Sequence, residues 1–255
     1  MRFLLPPSET KRDGGPGPAL ALDALSFPVL TDSRRAVIDA LTALSTDDTA
    51  AARALRLSAK AAAIELERNR ALEHSPTMPA IERYTGVLYD ALGVEQWGPD
   101  ARARASRQLC VHSALFGLVA ADDPITSYRL SHDSRLPGLR LRAHWAAANT
   151  AVLQGLDGPL VDLRSEGYVA LGPLPLRPNA VFVRVVAIGN DGVARALNHF
   201  NKKGKGEFLR DLFAAGPMPQ SIDGLCRTST DLGWPLRRSG DAELELVVPG
   251  TLLPR

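Results

Sequence analysis

Val181-Phe182-Val183-Arg184-Val185-Val186-Ala187-Ile188 is followed by Gly189-Asn190-Asp191-Gly192, and then by a second run from Val193 to Phe200. The first run is rich in β-branched residues. The four-residue break holds residue types that tolerate positive φ. Together they predict a β-hairpin. From Lys203 to Ala214 the period changes: Phe208, Leu209, Leu212 and Phe213 recur at helical spacing, so a helix follows the hairpin. Strands and helices therefore alternate within one stretch.

Working outward, the same mixture recurs. Arg2 to Leu5 reads as a buried strand, stopped by Pro6-Pro7. A polar loop follows, Ser8-Glu9-Thr10-Lys11-Arg12-Asp13, and such a loop after a first strand is a common place for binding groups. Asp32 to Ser45, Asp47 to Leu57 and Ser58 to Glu73 read as three helices, the first capped by Thr31 or Asp32. Ile81 to Leu92 fits strand by its aromatic content and helix by Leu88 and Leu92. Asp100 to Gln108 reads as a basic helix, and Leu109 to Ser113 as a strand running into the turn Ala114 to Gly117. Leu160 to Leu163 and Leu244 to Val248 are further strands. The fold class is α/β in the mixed α+β sense, with a central mixed sheet. Residues 1–255 are read as a single domain, in which 32–75 form a helical insertion after the first strand.

Net charge is only +2, and hydrophobic and charged contents of 45% and 23% are ordinary for a globular protein. Any nucleic-acid surface must then come from local clustering. Cys110 and Cys226 make neither a disulfide framework nor a zinc site, and Cys110 reads as a small buried hydrophobe. The five histidines show no metal-ligand spacing, and neither a Walker loop nor a dinucleotide fingerprint is present, so no metal or cofactor is called for. No apolar run is long enough to span a bilayer, and the expected location is cytoplasmic.

Clustering does occur. The chain has five lysines among thirty basic residues, and three of them lie in Asn201-Lys202-Lys203-Gly204-Lys205-Gly206. Lysines at a helix start oppose the helix dipole, at a cost of about 0.3–1 kcal/mol each when exposed. A bound phosphate would reverse that sign. The run therefore points to a phosphate-bearing ligand, nucleic acid or nucleotide. Ser8, Thr10 and Lys11 supply donors of the same kind. Asp162-Leu163-Arg164-Ser165-Glu166-Gly167-Tyr168 places Ser165 and Glu166 at a strand end, a possible catalytic position and a common turn composition.

These pieces, in this order, resemble the YaaA peroxide-stress protein family. The matching stretches are Pro7 to Lys11, Gly86 to Leu92, Ser113 to Gly117 with Pro124 and Ser127 to Leu130, Asp162 to Tyr168, and Lys202 to Gly206. The resemblance implies a YaaA-like fold and a cytoplasmic protein of the hydrogen peroxide response that helps limit free iron. It also implies binding of double-stranded DNA through a basic cleft with a helix-hairpin-helix-like element. The chain carries Ala114 where the family's turn has glycine, and Glu9 where its first loop has a small residue.

Two readings follow. In the first, Lys11, Lys60, Arg68, Arg83, Arg129, Lys202, Lys203 and Lys205, with Ser8 and Thr10, line one cleft and touch DNA phosphates without reading sequence. In the second, the same pocket holds a nucleotide, nucleobase or other phosphorylated small molecule, and Lys11, Ser165, Glu166 or Lys202 acts on it.

Overall fold

β1 (Arg2–Leu5) lies in the middle of the sheet, and Phe3, Leu4 and Leu5 are wholly buried. A parallel strand covered on both faces needs this unbroken apolar run. The computed structural model describes residues 1–188, 194–196 and 201–248. After β1 come α1 (Thr31–Leu44), α2 (Asp48–Ala54), α3 (Ala59–Arg70), β2 (Met78–Pro79), α4 (Ala80–Arg83), α5 (Val87–Leu92) and α6 (Pro99–Gln108). Next are β3 (Leu109–Ser113), β4 (Gly117–Ala120), β5 (Pro124–Ile125), α7 (Leu141–Gln154), β6 (Leu160–Asp162), α8 (Glu166–Val169) and β7 (Ala180–Ile188). The chain ends with β8 (Ala194–Ala196), α9 (Asn201–Ala215), α10 (Ile222–Asp231), β9 (Leu236–Gly240) and β10 (Glu243–Val247).

The main sheet runs β4-β3-β1-β6-β7-β10-β9, with β8 pairing on β7; β2 and β5 form a separate two-stranded ribbon. β3, β1, β6, β7 and β10 are mutually parallel, and β4, β8 and β9 run antiparallel to their neighbours. The class is therefore mixed α/β, as the sequence indicates. Counted in chain order, the five parallel strands lie 2-1-3-4-5 across the sheet. That is a doubly wound order. The chain leaves β1 first to one side and later to the other, which opens a crevice beyond the carboxyl ends of β1 and β6.

The hairpin expected around residue 190 forms: Val186 pairs with Ala196 and Ile188 with Ala194. Its turn, Gly189 to Gly192, lies outside the described residues, as does His199. Ile81 to Leu92 resolves as two short helices. Tyr84, Leu88, Tyr89 and Leu92 are buried together, a helical rather than alternating spacing, and Gly86 at φ 93 joins the two. α2 and α3 are capped by the side chains of Asp47 and Ser58. α1 carries no such cap. The turn Pro28–Leu30 leads straight into it, so Thr31 and Asp32 sit inside the helix. Arg34, on the buried face of α1, donates to the carbonyls of Ser26, Phe116 and Leu118 and ties that helix to β4.

Candidate functional site at the crevice between β1 and β6

Two adjoining cavities, of about 280 and 400 Å³, open beside this crevice. The first is lined by Pro6, Pro7 and Glu9 from the loop after β1 and by Ser165 and Tyr168 at the start of α8. Leu88 of α5 and Asn201, Lys202 and Lys205 of α9 complete it. The second is lined by Arg164, Ser165 and Glu166 after β6 and by Phe182 and Arg184 of β7. His132, Ser165, Asn201 and Lys205 belong to both.

Local sequence explains how these groups meet. Asp162 and Arg164, both wholly buried, close the end of β6. The guanidinium donates to the two carboxylate oxygens at 2.8 and 2.5 Å, and the Arg164 amide adds a third bond at 2.9 Å. Arg164 also reaches His112, whose ring burial and the neighbouring guanidinium hold its pKa well below the usual value. This cluster fixes the turn from which Ser165 and Glu166 emerge. Gly167 has no side chain because the His132 ring occupies that space; a Cβ would lie 2.5 Å from its Cε1. Tyr168 then meets His132 edge to face, with centroids 5.0 Å apart.

α9 brings Lys205 in. The glycines beside it serve helix packing: a Cβ on Gly206 would lie 2.3 Å from the Leu88 carbonyl oxygen, and one on Gly204 2.7 Å from a Val248 methyl. The helix therefore sits backbone-close against α5, and Lys205 is only 4% exposed. Burial pushes its amine down to about 8; Asp162 opposes that shift and Arg184 adds to it. The buried Asn201 Oδ1, also on this wall, has no hydrogen-bond partner among the described residues.

With this geometry in place, the chain can be compared with known proteins. A family profile described as Peroxide stress protein YaaA matches residues 1–232. The chain belongs to the YaaA peroxide stress family. It is 46% identical to a UPF0246 protein of Corynebacterium efficiens over 229 residues, covering 88% of this chain and 89% of that one. It is 38% identical to a UPF0246 protein of Streptomyces coelicolor over 246 residues, covering 95% and 94%. A more distant UPF0246 protein, from Streptococcus sanguinis, is 24% identical over 216 residues, covering 83% and 85%.

The structure distributes the expected site residues unevenly. Lys202, Lys205, Ser165 and Glu166 line the two cavities. Lys203 is exposed and lies 3.8 Å from Glu207. Ser8 and Thr10 bond to each other at the surface, and Thr10 also donates to the Thr85 carbonyl. Lys60 sits exposed on α3. Arg68 pairs with Asp13 and Glu65, and Arg129 with Glu9, so Glu9 is neutralised by Arg129 rather than by the Lys11 ammonium. Arg83 is fully buried and donates to the carbonyls of Arg12, Pro76 and Ile125, away from any surface ligand. Ala114, Leu115 and Phe116 are also fully buried, with the Ala114 carbonyl accepting from Trp145. A DNA phosphate therefore cannot approach that turn. His132, Tyr168, Asn201 and Arg184 also line the cavities, although the sequence gives them no role. Tyr168, Asn201 and Arg184 lie inside stretches quoted above, Arg184 as one residue of a strand, whereas His132 has no local signal.

Lys11 is turned under its own loop. Its ammonium donates to the carbonyls of Ser8 and Glu9 and lies 4.1 Å from the centre of the Tyr128 ring. Burial pushes the amine down to about 7, with Glu65 opposing. The unfolded chain therefore binds more protons than the folded one from pH 7 up to about 10, and stability rises with pH across that window. Lys205 adds the same sign from about 8 upward. Above about pH 10 the phenols of Tyr84, Tyr89 and Tyr128, pushed up by burial, reverse the slope. Lys11→Met is expected to be more stable than the parent at pH 7 and to keep only the smaller part of the rise between pH 7 and 8, which Lys205 and the Met1 amine contribute. Urea midpoints at the two pH values measure this, and an unchanged rise in the variant would refute the assignment.

Among the described residues, no helix is long and apolar enough to cross a membrane, and no three His, Cys, Asp or Glu side chains cluster as a metal set.

Proposed function

We propose that this YaaA-family protein acts by binding a small anionic molecule, of the nucleotide or phosphorylated-metabolite class, in the paired cavities around Lys205. The observation that carries this is the position of the cavities: they lie at the switch point of a doubly wound sheet, where such folds hold their ligands. The surrounding groups suit that ligand class. Lys202 and Lys205 supply positive charge, Arg184 shares its own with Glu243, the start of α9 adds its dipole, and Tyr168 and Leu88 offer apolar surface. Arg68, Arg83 and Arg129 are engaged by carboxylates or carbonyls, which favours a local pocket over a long basic cleft. The effect on free iron that the family resemblance implies is then placed downstream of this ligand.

A thermal-shift series tests the reading. A nucleoside monophosphate at about 100 times its dissociation constant should add about 2.7 kcal/mol, or a rise of roughly 5–10 °C for a chain of this size. Lys205→Met should remove most of that rise. If mononucleotides, sugar phosphates and inorganic phosphate all leave the transition in place, the pocket reading fails. Exposed Lys202 and Lys203 favour a second reading, contact with a DNA backbone at the rim. Replacing both by Ala would then reduce the log–log salt slope of duplex binding by about 2.

A further inference from the structure

Granting the small-ligand reading above, on which this rests, we propose that Lys205 is a nucleophilic amine that condenses with an aldehyde or ketone group of the bound ligand. The site is thus built for a phosphorylated carbonyl compound and for Schiff-base chemistry.

Three features of geometry separate this role from that of a charge clamp. Lys205 stands on the wall common to both cavities, so a ligand filling both must pass its amine. Of the other cations bordering the cavities, Lys202 lines the first and Arg184 the second, each more exposed than Lys205, while Arg164 is bound to Asp162. Lys202 can meet an anionic group at the mouth of the first cavity, which leaves the buried amine for an atom further in. Finally, the helix that carries it is fixed: Gly204 and Gly206 seat it close against neighbouring elements, and the Phe182 ring lies 5.9 Å from Nζ.

A clamp works best fully charged, whereas a nucleophile needs its lone pair. Burial, with Arg184 adding and Asp162 opposing, brings this amine down to about 8. Asp162 shares its charge with Arg164, which bonds to both of its oxygens, so its pull on the Lys205 ammonium is partial. At pH 8 about half of the Lys205 amine is neutral, against well under 1% for an ordinary lysine. Lysines desolvated beside another cation are activated in this way.

The step balances without any further reagent. The Nζ lone pair attacks the carbonyl carbon, and the carbonyl oxygen takes up a proton to give a carbinolamine. One amine hydrogen makes good that proton, and the second joins the hydroxyl, which leaves as water as the carbon–nitrogen double bond forms. Ser165, His132 and Tyr168 share the cavity wall and can pass the protons, and Glu166 borders the second cavity.

Pyridoxal 5′-phosphate followed by borohydride is the test, because the probe carries both a formyl group and a phosphate and reduction makes the adduct permanent. At pH 8, with probe and protein at equal concentration, fragment mass spectrometry should place one pyridoxyl group on Lys205. Pyridoxal, which lacks the phosphate, should label it several-fold less. Lys205→Arg should abolish that label. As that variant could fail to fold, the surface variants Lys60→Gln and Lys203→Gln form a second arm, in which the label should stay on Lys205. Label spread evenly over the lysines, or found on Lys202 or Lys203 with Lys205 unmodified, overturns the proposal. If a nucleoside monophosphate raises the melting temperature while Lys205 stays unlabelled, the nucleophile falls and the pocket reading stands. If Lys205 stays unlabelled and mononucleotides, sugar phosphates and inorganic phosphate all leave the melting temperature in place, both fall.

Discussion

Arg164→Leu is expected to lower the unfolding free energy by about 3–5 kcal/mol, the cost of leaving one member of a buried ion pair without its partner. Arg164 and Asp162 are both 0% exposed, and Arg164 supplies three of the hydrogen bonds that reach the Asp162 carboxylate, one of them from its backbone amide. The leucine variant keeps only the amide bond. The carboxylate would then sit in the sheet beside His112, a ring that burial already holds neutral. A loss of this size is a large part of the 5–15 kcal/mol that typically separates folded from unfolded chains. The double variant Asp162→Leu/Arg164→Leu should recover much of it, because the buried charge rather than the lost attraction dominates the cost. Urea unfolding with an unchanged m-value reports this directly. A single variant within about 1 kcal/mol of the parent would mean that the pair is not confined as described. The variant should also weaken ligand binding, since Ser165 and Glu166 follow directly on the turn that the pair holds.

The contrast between that pair and the lysine run shows what a sequence discloses. β1, both hairpin strands and α9 are legible because their signals are local: apolar runs, turn residues and a helical period. The segment that forms α7 carries no comparable signal. Five alanines dilute its stripe, and one buried position is Asn149, which bonds to the Leu118 amide and the Leu171 carbonyl instead of packing as a hydrophobe. Within the hexapeptide the three lysines differ in what the helix does with them. Lys205 lies three and four residues before Phe208 and Leu209, on the same face as Leu212 and Phe213, so the helical period itself turns it inward. Lys202 and Lys203 fall off that face and stay exposed. What no local pattern could supply is the strand order. The crevice exists because β6 pairs with β1 on the side opposite β3, a pairing between residues more than a hundred positions apart. His132 and Arg184 become site residues only through that pairing.

Gly206→Ala is expected to destabilise the protein by about 1–3 kcal/mol or more, against the usual direction of the substitution. In an exposed helix interior, alanine is better than glycine by about 1 kcal/mol. Two effects therefore compete, and distances decide between them. The new Cβ would lie 2.3 Å from the Leu88 carbonyl oxygen, 2.8 Å from the Ala91 Cβ and 3.0 Å from the Leu92 amide nitrogen. Two of these are backbone atoms of α5, so relief requires the two helices to separate. Leu88 and Lys205 border the same cavity, and separation would widen it between them. Stability and ligand-induced stabilisation should accordingly fall together. Gly204→Ala provides the comparison, since its near neighbour is a Val248 side-chain methyl at 2.7 Å and no backbone must move. Its cost should be smaller. A Gly206→Ala protein as stable as the parent would show that α9 and α5 can part at little cost, in which case the glycines of the lysine run would need a role other than bringing Lys205 into the crevice.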